Sequence, residues 1–157
     1  MSKVLVTGGA GYIGSVLVPL LVSEGHDVTI LEKFYFGKRT LGDLLKKKKI
    51  DVWEMDIRNF EKGGKSLKGF DAVIHLAALS NDPSCELSPG LTEDVNVDGS
   101  YQLFRVAKRD GVKRVVFSSS CSVYGFGEGR NCFGPLHENV FSSERSIRDY
   151  FGHGQDF

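Results

Sequence analysis

A glycine-rich stretch at residues 7–14 constrains the fold more than any other part of this chain. Its sequence, Thr-Gly-Gly-Ala-Gly-Tyr-Ile-Gly, follows the apolar run Val4–Val6 and precedes an amphipathic run. Gly8 allows a sharp turn, Gly11 leaves room for a pyrophosphate beside the backbone, and Gly14 allows the helix to pack closely on the strand. A strand, a glycine turn and a helix in this order predict a dinucleotide site, because the helix N-terminus offers unpaired N–H groups to phosphates.

An acidic residue after the second apolar run supports this interpretation. Val28–Leu31 is a predicted strand, and Glu32 follows it, eighteen residues after Gly14. A carboxylate at this place accepts hydrogen bonds from the adenosine ribose and repels a 2′-phosphate, so Glu32 predicts NAD. Lys33 and Lys38 lie close by in the sequence and leave NADP as an alternative. The alternative is that the glycine-rich segment is a purely structural turn that binds no ligand.

Apolar runs with strand and helix character alternate along the chain. This alternation implies right-handed crossovers, and we predict an α/β fold, a Rossmann-type doubly wound parallel sheet in the order 3-2-1-4-5. The ligand is expected over the carboxyl ends of the strands, between strands 1 and 4, where the order reverses. Strands are predicted at Val4–Val6, Val28–Leu31, Ile50–Met55, Phe70–Leu76 and Val112–Phe117, and helices at Ile13–Leu21, around Leu41–Leu45 and at Pro89–Asp110.

Two elements carry burial predictions. The first helix has apolar residues at i, i+3, i+4 and i+7, which predicts one buried face. The fifth strand is apolar almost throughout, which predicts burial on both faces, as in the interior of a parallel sheet. The predicted buried stripe of the helix is Ile13, Val16, Leu17, Leu20 and Leu21.

The glycine stretch and four later stretches resemble the extended short-chain dehydrogenase/reductase family. This family includes the NAD-dependent sugar-nucleotide epimerases and dehydratases. The resemblance covers roughly residues 3–126 and implies that a nucleotide sugar is the substrate. The four later stretches are Asp56-Ile57 after the third strand, His75-Leu76-Ala77-Ala78 at the fourth strand, Asn96 in the next helix, and Ser118–Gly125 after the fifth strand.

The resemblance implies roles in cofactor binding for these residues. Asp56 would meet the adenine amino group and Ile57 would pack on the base, with a cap of the strand-end turn as the alternative for Asp56. Ala77 is small enough to let the cofactor pass over the fourth strand. Asn96 would lie near the active-site backbone, or it is an exposed helix asparagine. The predicted cofactor site comprises Gly8, Gly11, Tyr12, Ile13, Gly14, Glu32, Lys33, Asp56, Ile57, Leu76, Ala77, Ala78, Asn96 and Ser118.

The catalytic residues that the resemblance implies are only partly present. Ser120 matches the serine that hydrogen-bonds the substrate hydroxyl being oxidised, with capping of backbone groups as the alternative. The family also uses a tyrosine four residues before a lysine, whose charge lowers the phenol pKa. None of the five tyrosines here has a lysine at that spacing. Tyr150 lies in the expected region, with His153 three residues later, and is the remaining candidate.

The chain is expected to comprise an NAD-binding domain at residues 1–126 and a divergent tail at 127–157, without the family's C-terminal substrate lobe. A chain altered or cut short after Gly125 would look like this. Three functions follow: the NAD(H)-binding domain of an epimerase or dehydratase relative, a non-catalytic dinucleotide-binding module, or an inactive fragment.

Charge and cysteine content narrow the partners and the compartment. Twenty basic and twenty acidic residues cancel, so nothing indicates nucleic acid or an anionic membrane as partner. No apolar run approaches the roughly 20 residues of a membrane span, and no signal peptide precedes the first strand. The cysteines number three, which is odd and indicates reduced thiols rather than a disulfide framework. Together these features predict a cytoplasmic protein.

Other charged and polar residues have ordinary structural explanations. The four histidines show no metal-ligand spacing, so no metal is expected, and His75 is predicted to be structural. The lysine run at residues 46–49 is typical of a solvated helix end, with a phosphate-binding patch as the alternative. The family resemblance would place a homodimer interface, if one forms, on the helix Pro89–Asp110.

Overall fold

The computed structural model describes residues 1–80 and 87–119. All strand pairs in this part are parallel, and the order β3-β2-β1-β4-β5 confirms the predicted fold class and topology. The strands are β1 Lys3–Thr7, β2 Asp27–Glu32, β3 Asp51–Glu54, β4 Ala72–His75 and β5 Arg114–Phe117. The helices are α1 Gly14–Ser23, α2 Gly42–Lys46, α3 Pro89–Glu93 and α4 Gly99–Arg109, with 3₁₀ turns at Arg39–Leu41 and Ile57–Asn59.

The described residues 1–118 form one compact unit, and apolar side chains cover both faces of its sheet. Successive side chains of a strand point to opposite faces. On β1, Leu5 therefore packs with Phe60 and Leu103 on one face, while Val6 packs with Ile30 on the other. Leu5 and Val6 are fully buried, which makes β1 the centre of the fold. The predicted domain boundary at residue 126 lies outside the described residues.

The predicted helix from Pro89 to Asp110 is present, but it is not regular. Between α3 and α4 the chain makes a π-helical turn at Asp94–Asp98. Such turns insert one extra residue per turn and are frequent at functional sites. Sequence periodicity did not predict this irregularity, and Asn96 lies within it.

The buried face of α1 differs from the predicted one. The helix packs through Gly14 and Val18. Three members of the predicted stripe, Ile13, Val16 and Leu20, are more than half exposed, so the prediction of a buried stripe was wrong for them. The physical reason is that this helix is apolar on nearly all sides, so its apolar period does not identify the face, and the missing side chain of Gly14 sets the close contact instead.

Strand β5 is at the edge of the described sheet. It pairs only with β4 among the described residues, and Val115 and Val116 are 42% and 48% exposed. The prediction that this strand is buried on both faces was therefore wrong for the described part of the chain. An apolar run indicates that a strand is suited to burial. Burial itself requires a neighbouring element that covers the strand.

The lysines at residues 46–49 are exposed at the end of α2, which fits a solvated helix end. Among the helices of residues 1–80 and 87–119, none combines the length and the apolar character of a membrane span.

We predict that Val18→Ala lowers the free energy of unfolding by about 2 kcal/mol, because this side chain is fully buried between α1 and the sheet. Val16→Ala is the matched control on the same helix, and its effect should stay within about 0.5 kcal/mol. Urea unfolding followed by circular dichroism measures both. Equal losses from the two variants would contradict the observed packing face.

Candidate functional site

A cleft of about 340 Å³ opens at the carboxyl edge of the sheet, where the strand order reverses between β1 and β4. This is the place at which open α/β sheets bind their ligands. Nine of the predicted cofactor residues line it: Gly8, Gly11, Glu32, Lys33, Asp56, Ile57, Leu76, Ala77 and Ala78.

Five predicted cofactor residues do not line the cleft. Tyr12 and Ile13 are exposed, and Gly14 is buried under the glycine turn. Asn96 forms hydrogen bonds with the backbone of Leu79, in the loop that follows β4. Ser118 continues the ladder between β4 and β5, since its backbone N–H donates to the His75 carbonyl at 3.1 Å.

The glycine turn is closed by backbone contacts. Gly8 has a left-handed φ of +70°, and the Gly11 N–H donates to its carbonyl at 3.0 Å. A Cβ on Gly8 would lie 2.7 Å from the backbone N of Ala77. Gly8 is therefore required both for the turn, as predicted, and for the close approach to the end of β4, which the sequence did not show.

Gly14 has a different steric reason from the predicted one. A Cβ at this position would lie 2.5 Å from the carbonyl oxygen of Gly9 and 2.6 Å from that of Gly8. The first turn of α1 therefore packs against the glycine turn itself, and the predicted contact with a strand is not the constraint.

The geometry of the turn fits a pyrophosphate. A Cβ on Gly11 would meet only the Gly8 carbonyl, at 3.2 Å, so the cleft side of Gly11 is open. The backbone N–H groups of Tyr12, Ile13 and Gly14 make no hydrogen bond to any residue in the described ranges. Free N–H groups at the positive end of a helix are ligands for phosphate oxygens.

The Glu32 carboxylate joins the glycine turn to the loop that follows β2. Its Oε2 accepts the Ala10 N–H at 3.0 Å, and its Oε1 accepts the N–H groups of Lys33 and Phe34, both at 3.0 Å. A carboxylate offers about four acceptor sites, so one remains for a ribose hydroxyl. Phe34 has a left-handed φ of +58°, a conformation that is costly for a non-glycine residue and that the Glu32 bond helps to hold.

Asp56 caps the 3₁₀ turn Ile57–Asn59, which is the alternative role weighed for it from the sequence. Its Oδ1 accepts the backbone N–H of Arg58 at 3.0 Å and Nε at 3.1 Å. Its Oδ2 accepts an Arg58 guanidinium N–H at 2.7 Å and the Lys33 ammonium at 2.6 Å. These bonds hold the Asp56 pKa well below its usual range, and those from Arg58 contribute more than the bond from Lys33. An adenine contact by Asp56 stays a prediction.

His75 is structural in its position, as predicted. It is buried, its Nδ1 lies 2.6 Å from Thr7 Oγ1, and its Nε2 lies 2.7 Å from Ser100 Oγ. The Ser100 hydroxyl donates to the Asn96 carbonyl at 2.6 Å, so the ring Nε2–H donates to Ser100. Burial lowers the His75 pKa to about 4, so the ring is neutral at pH 7 and its Nδ1 accepts from the Thr7 hydroxyl.

Asn96 is not the exposed helix asparagine of the alternative interpretation. Its Oδ1 accepts the Leu79 N–H at 2.8 Å, and its Nδ2 donates to the Leu79 carbonyl at 2.8 Å. The two bonds attach the loop after β4 to the π-helical turn. A role of Asn96 in an active site stays a prediction.

Sequence reasoning missed an aromatic loop at the cleft. Phe34, Tyr35 and Phe36 all line the cleft, and Phe36 is 95% exposed. The segment was predicted only as a loop. The available signal was three consecutive aromatic residues that begin two positions after Glu32, the acidic end of β2. The catalytic candidates Ser120 and Tyr150 lie outside the described residues, so their roles stay predictions.

Comparison with known proteins identifies the family that this chain resembles. The profile of the NAD dependent epimerase/dehydratase family matches residues 4–146. A UDP-glucose 4-epimerase of Lactobacillus helveticus is 42% identical over 125 residues, which are 78% of this chain and 37% of that relative. A UDP-glucose 4-epimerase of Klebsiella pneumoniae is 38% identical over 128 residues, which are 78% of this chain and 92% of that relative.

A solved structure shares the fold. The UDP-glucose-4-epimerase of Stenotrophomonas maltophila, with bound NAD and formylated UDP-arabinopyranose, is similar at a TM-score of 0.72 and 32% identity, covering 88% of this chain and 42% of that one. This chain thus spans less than half of that structure and of the Lactobacillus relative.

We predict that Gly14→Ala lowers the free energy of unfolding by more than about 2 kcal/mol, because the new Cβ would collide with two carbonyl oxygens that cannot move independently of the turn. Gly42→Ala in α2 is the matched control. A Cβ there has no neighbour within 4 Å, so its effect should be neutral or stabilising by up to about 1 kcal/mol. Thermal and urea unfolding test both, and a Gly14→Ala chain as stable as wild type would refute the collision.

We also predict a loss of stability below neutral pH that depends on His75. Its folded-state pKa, about 4, is lower than the ordinary value of 6.5, so the unfolded chain binds more protons between these two values. The contribution of His75 is full above pH 6.5 and declines as the pH falls towards 4, by up to about 3 kcal/mol in total.

Urea unfolding at several pH values tests this prediction. His75→Gln is the comparison, because glutamine keeps a donor and an acceptor but takes up no proton in this range. Its stability should be lower throughout and should vary less between pH 6.5 and pH 4. Parallel pH curves for the two chains would contradict the assignment.

Proposed function

Because this chain belongs to the NAD dependent epimerase/dehydratase family, we propose that it provides the NAD(H)-binding domain of an enzyme that acts on a nucleotide sugar. The NAD dependence in the family's description agrees with the cofactor predicted from the glycine turn and Glu32. The observation that carries the proposal is the open glycine turn beside a cleft at the switch point of the sheet, with three backbone N–H groups that bond no residue of the described ranges.

Each part of the cleft would hold one part of NAD. The open side of Gly11 and the amino end of α1 would bind the pyrophosphate. Glu32 would use its remaining acceptor site for an adenosine ribose hydroxyl. Ile57 lies in the same cleft and would pack on the adenine. Ala77 and Ala78 would form the floor on which the rest of the cofactor lies.

NAD, when bound, accepts and returns a hydride, and we propose that this transfer involves a hexose ring carbon of the substrate. The role of the described residues is to hold and orient. The network of Thr7, His75 and Ser100 anchors the end of β1 to β4 and α4, and Asn96 holds the backbone of Leu79. Both sets of bonds fix the floor of the cleft without exchanging protons with a substrate.

The substrate class comes from the relatives. Those compared above are named as UDP-glucose 4-epimerases, and the Stenotrophomonas structure holds a UDP-sugar derivative. We propose a UDP-sugar for the whole protein, with Ser120 bonding the hydroxyl that is oxidised. The Tyr-x-x-x-Lys pair is absent from the sequence, so Tyr150 is the proposed phenol of this chain.

That absence also favours a second candidate function, a non-catalytic module that binds dinucleotide and reports its redox state to a partner. An NADH-dependent partner in a pull-down, not recovered with NAD⁺, would support the module. The same binding to partners under both conditions would remove it.

Two further proposals concern assembly and location. A homodimer is proposed through the helices α3 and α4 on the family resemblance alone, and sedimentation of the chain would test it. A cytoplasmic location is proposed from the cysteine content, and cell fractionation would test it.

We predict that the folded chain binds NAD⁺ at a single site with a micromolar dissociation constant, measured by calorimetry. At a hundredfold excess over that constant, binding would stabilise the chain by about 2.7 kcal/mol and raise the melting temperature accordingly. Gly11→Val should weaken binding at least tenfold, because its side chain would occupy the open side of the turn. Gly42→Ala is the matched control, because Gly42 does not line the cleft. A folded wild-type chain that binds no NAD⁺ would overturn the proposed function.

A further inference from the structure

We propose that Lys33 is a specificity-determining residue, and that Asp56 and Tyr35 hold its ammonium away from the place where a 2′-phosphate would bind. The inference rests on the proposed function, because it concerns the adenosine end of the same cleft. With the Lys33 ammonium held in this way the cleft would accept NAD alone, and with the ammonium released it would accept both NAD and NADP.

The position of Lys33 suits a phosphate ligand. It directly follows Glu32, the residue that would meet the ribose, and both residues line the cleft. A cation beside this ribose is what accommodates the 2′-phosphate of NADP in dinucleotide-binding folds. Lys33 is also only partly buried, with 37% of its side chain exposed, so a ligand has access to it.

Three contacts nevertheless hold the ammonium. Lys33 Nζ donates to Asp56 Oδ2 at 2.6 Å and to the Tyr35 hydroxyl at 2.5 Å. It also lies 4.3 Å from the centroid of the Tyr35 ring, within the range of a cation–π interaction. Two of its three N–H donors are therefore used. Its charge is paired with the Asp56 carboxylate, whose side chain is only 11% exposed.

The neighbouring groups keep this arrangement in place. Arg58 binds both oxygens of Asp56, so the carboxylate cannot rotate away from Lys33 without losing those bonds. Glu32 is held by three backbone N–H groups, so its negative charge stays beside the ribose position. The two carboxylates and the two cations balance, and an added 2′-phosphate would meet no net positive charge.

Lys38, the other lysine near Glu32 in the sequence, does not offer the same chemistry. It pairs with Glu54 at 2.5 Å and does not line the cleft. The Lys38–Glu54 pair is therefore a matched control for the effect of releasing a lysine close to the site. Releasing Lys33 should change cofactor preference, and releasing Lys38 should not.

The test measures the dissociation constants of NAD⁺ and NADP⁺ by calorimetry and expresses preference as their ratio. Asp56→Asn removes the charge that pairs with Lys33 and should improve NADP⁺ relative to NAD⁺ by at least tenfold. Tyr35→Phe removes the second acceptor and should give a change of about threefold in the same direction. Glu54→Gln should leave the ratio unchanged.

A double variant separates Lys33 from Arg58, which Asp56→Asn also releases. Adding Lys33→Ala to Asp56→Asn should abolish the gain for NADP⁺. A gain that persists in the double variant would overturn the proposal in favour of Arg58, and an unchanged ratio in Asp56→Asn would overturn it outright. If Asp56→Asn does not melt cooperatively, the ratio measured for Tyr35→Phe tests the proposal instead. Tyr35 is 60% exposed and contributes little to the core, so this variant should fold.

The wild-type titration distinguishes this inference from the proposed function. No binding of NAD⁺ by the folded wild-type chain would overturn the proposed function and this inference together. Binding of NAD⁺ by all variants with one common ratio would leave the proposed function in place and overturn the role of Lys33.

Discussion

The lack of space for a side chain at Gly8 and at Gly14 is the constraint on which the rest of the site depends. Gly8 lies against the backbone of Ala77, and Gly14 lies against the carbonyl oxygens of the turn. These contacts bring the ends of β1 and β4 and the start of α1 into one small volume. The cleft lies where these elements meet, beside the amino end of α1. A single added methyl group has no room at either position.

Polar groups around the cleft are largely satisfied by the protein itself. Glu32 binds three backbone N–H groups, and Asp56 binds Arg58 and Lys33. Such bonds orient the carboxylates before a ligand arrives, which reduces the ordering cost of binding. They also limit what remains for the ligand, since Glu32 keeps about one acceptor site. At the adenosine end that we propose for this cleft, selectivity would depend on the groups that are already paired as much as on those that are free.

Beneath the cleft, a buried polar network connects three elements. His75 bonds Thr7 of β1 and Ser100 of α4, and Ser100 bonds the carbonyl of Asn96. Every polar side-chain atom buried among the described residues has a partner. A fully satisfied buried network favours one arrangement of its members, because an unpaired polar group in the interior is costly. The position of the cleft floor is fixed in this way.

The sequence by itself determined the elements, the sheet order and the place of the site. Alternating apolar runs and the right-handed crossover rule are local and topological constraints, and the glycine turn with Glu32 marks one particular edge of the sheet. The tertiary structure alone decided which face of α1 is buried, that Val115 and Val116 of β5 are half exposed, and that Asp56 binds Lys33. Those outcomes depend on contacts between residues far apart in the chain, and a periodic apolar pattern or a short motif carries no information about which distant neighbour is present.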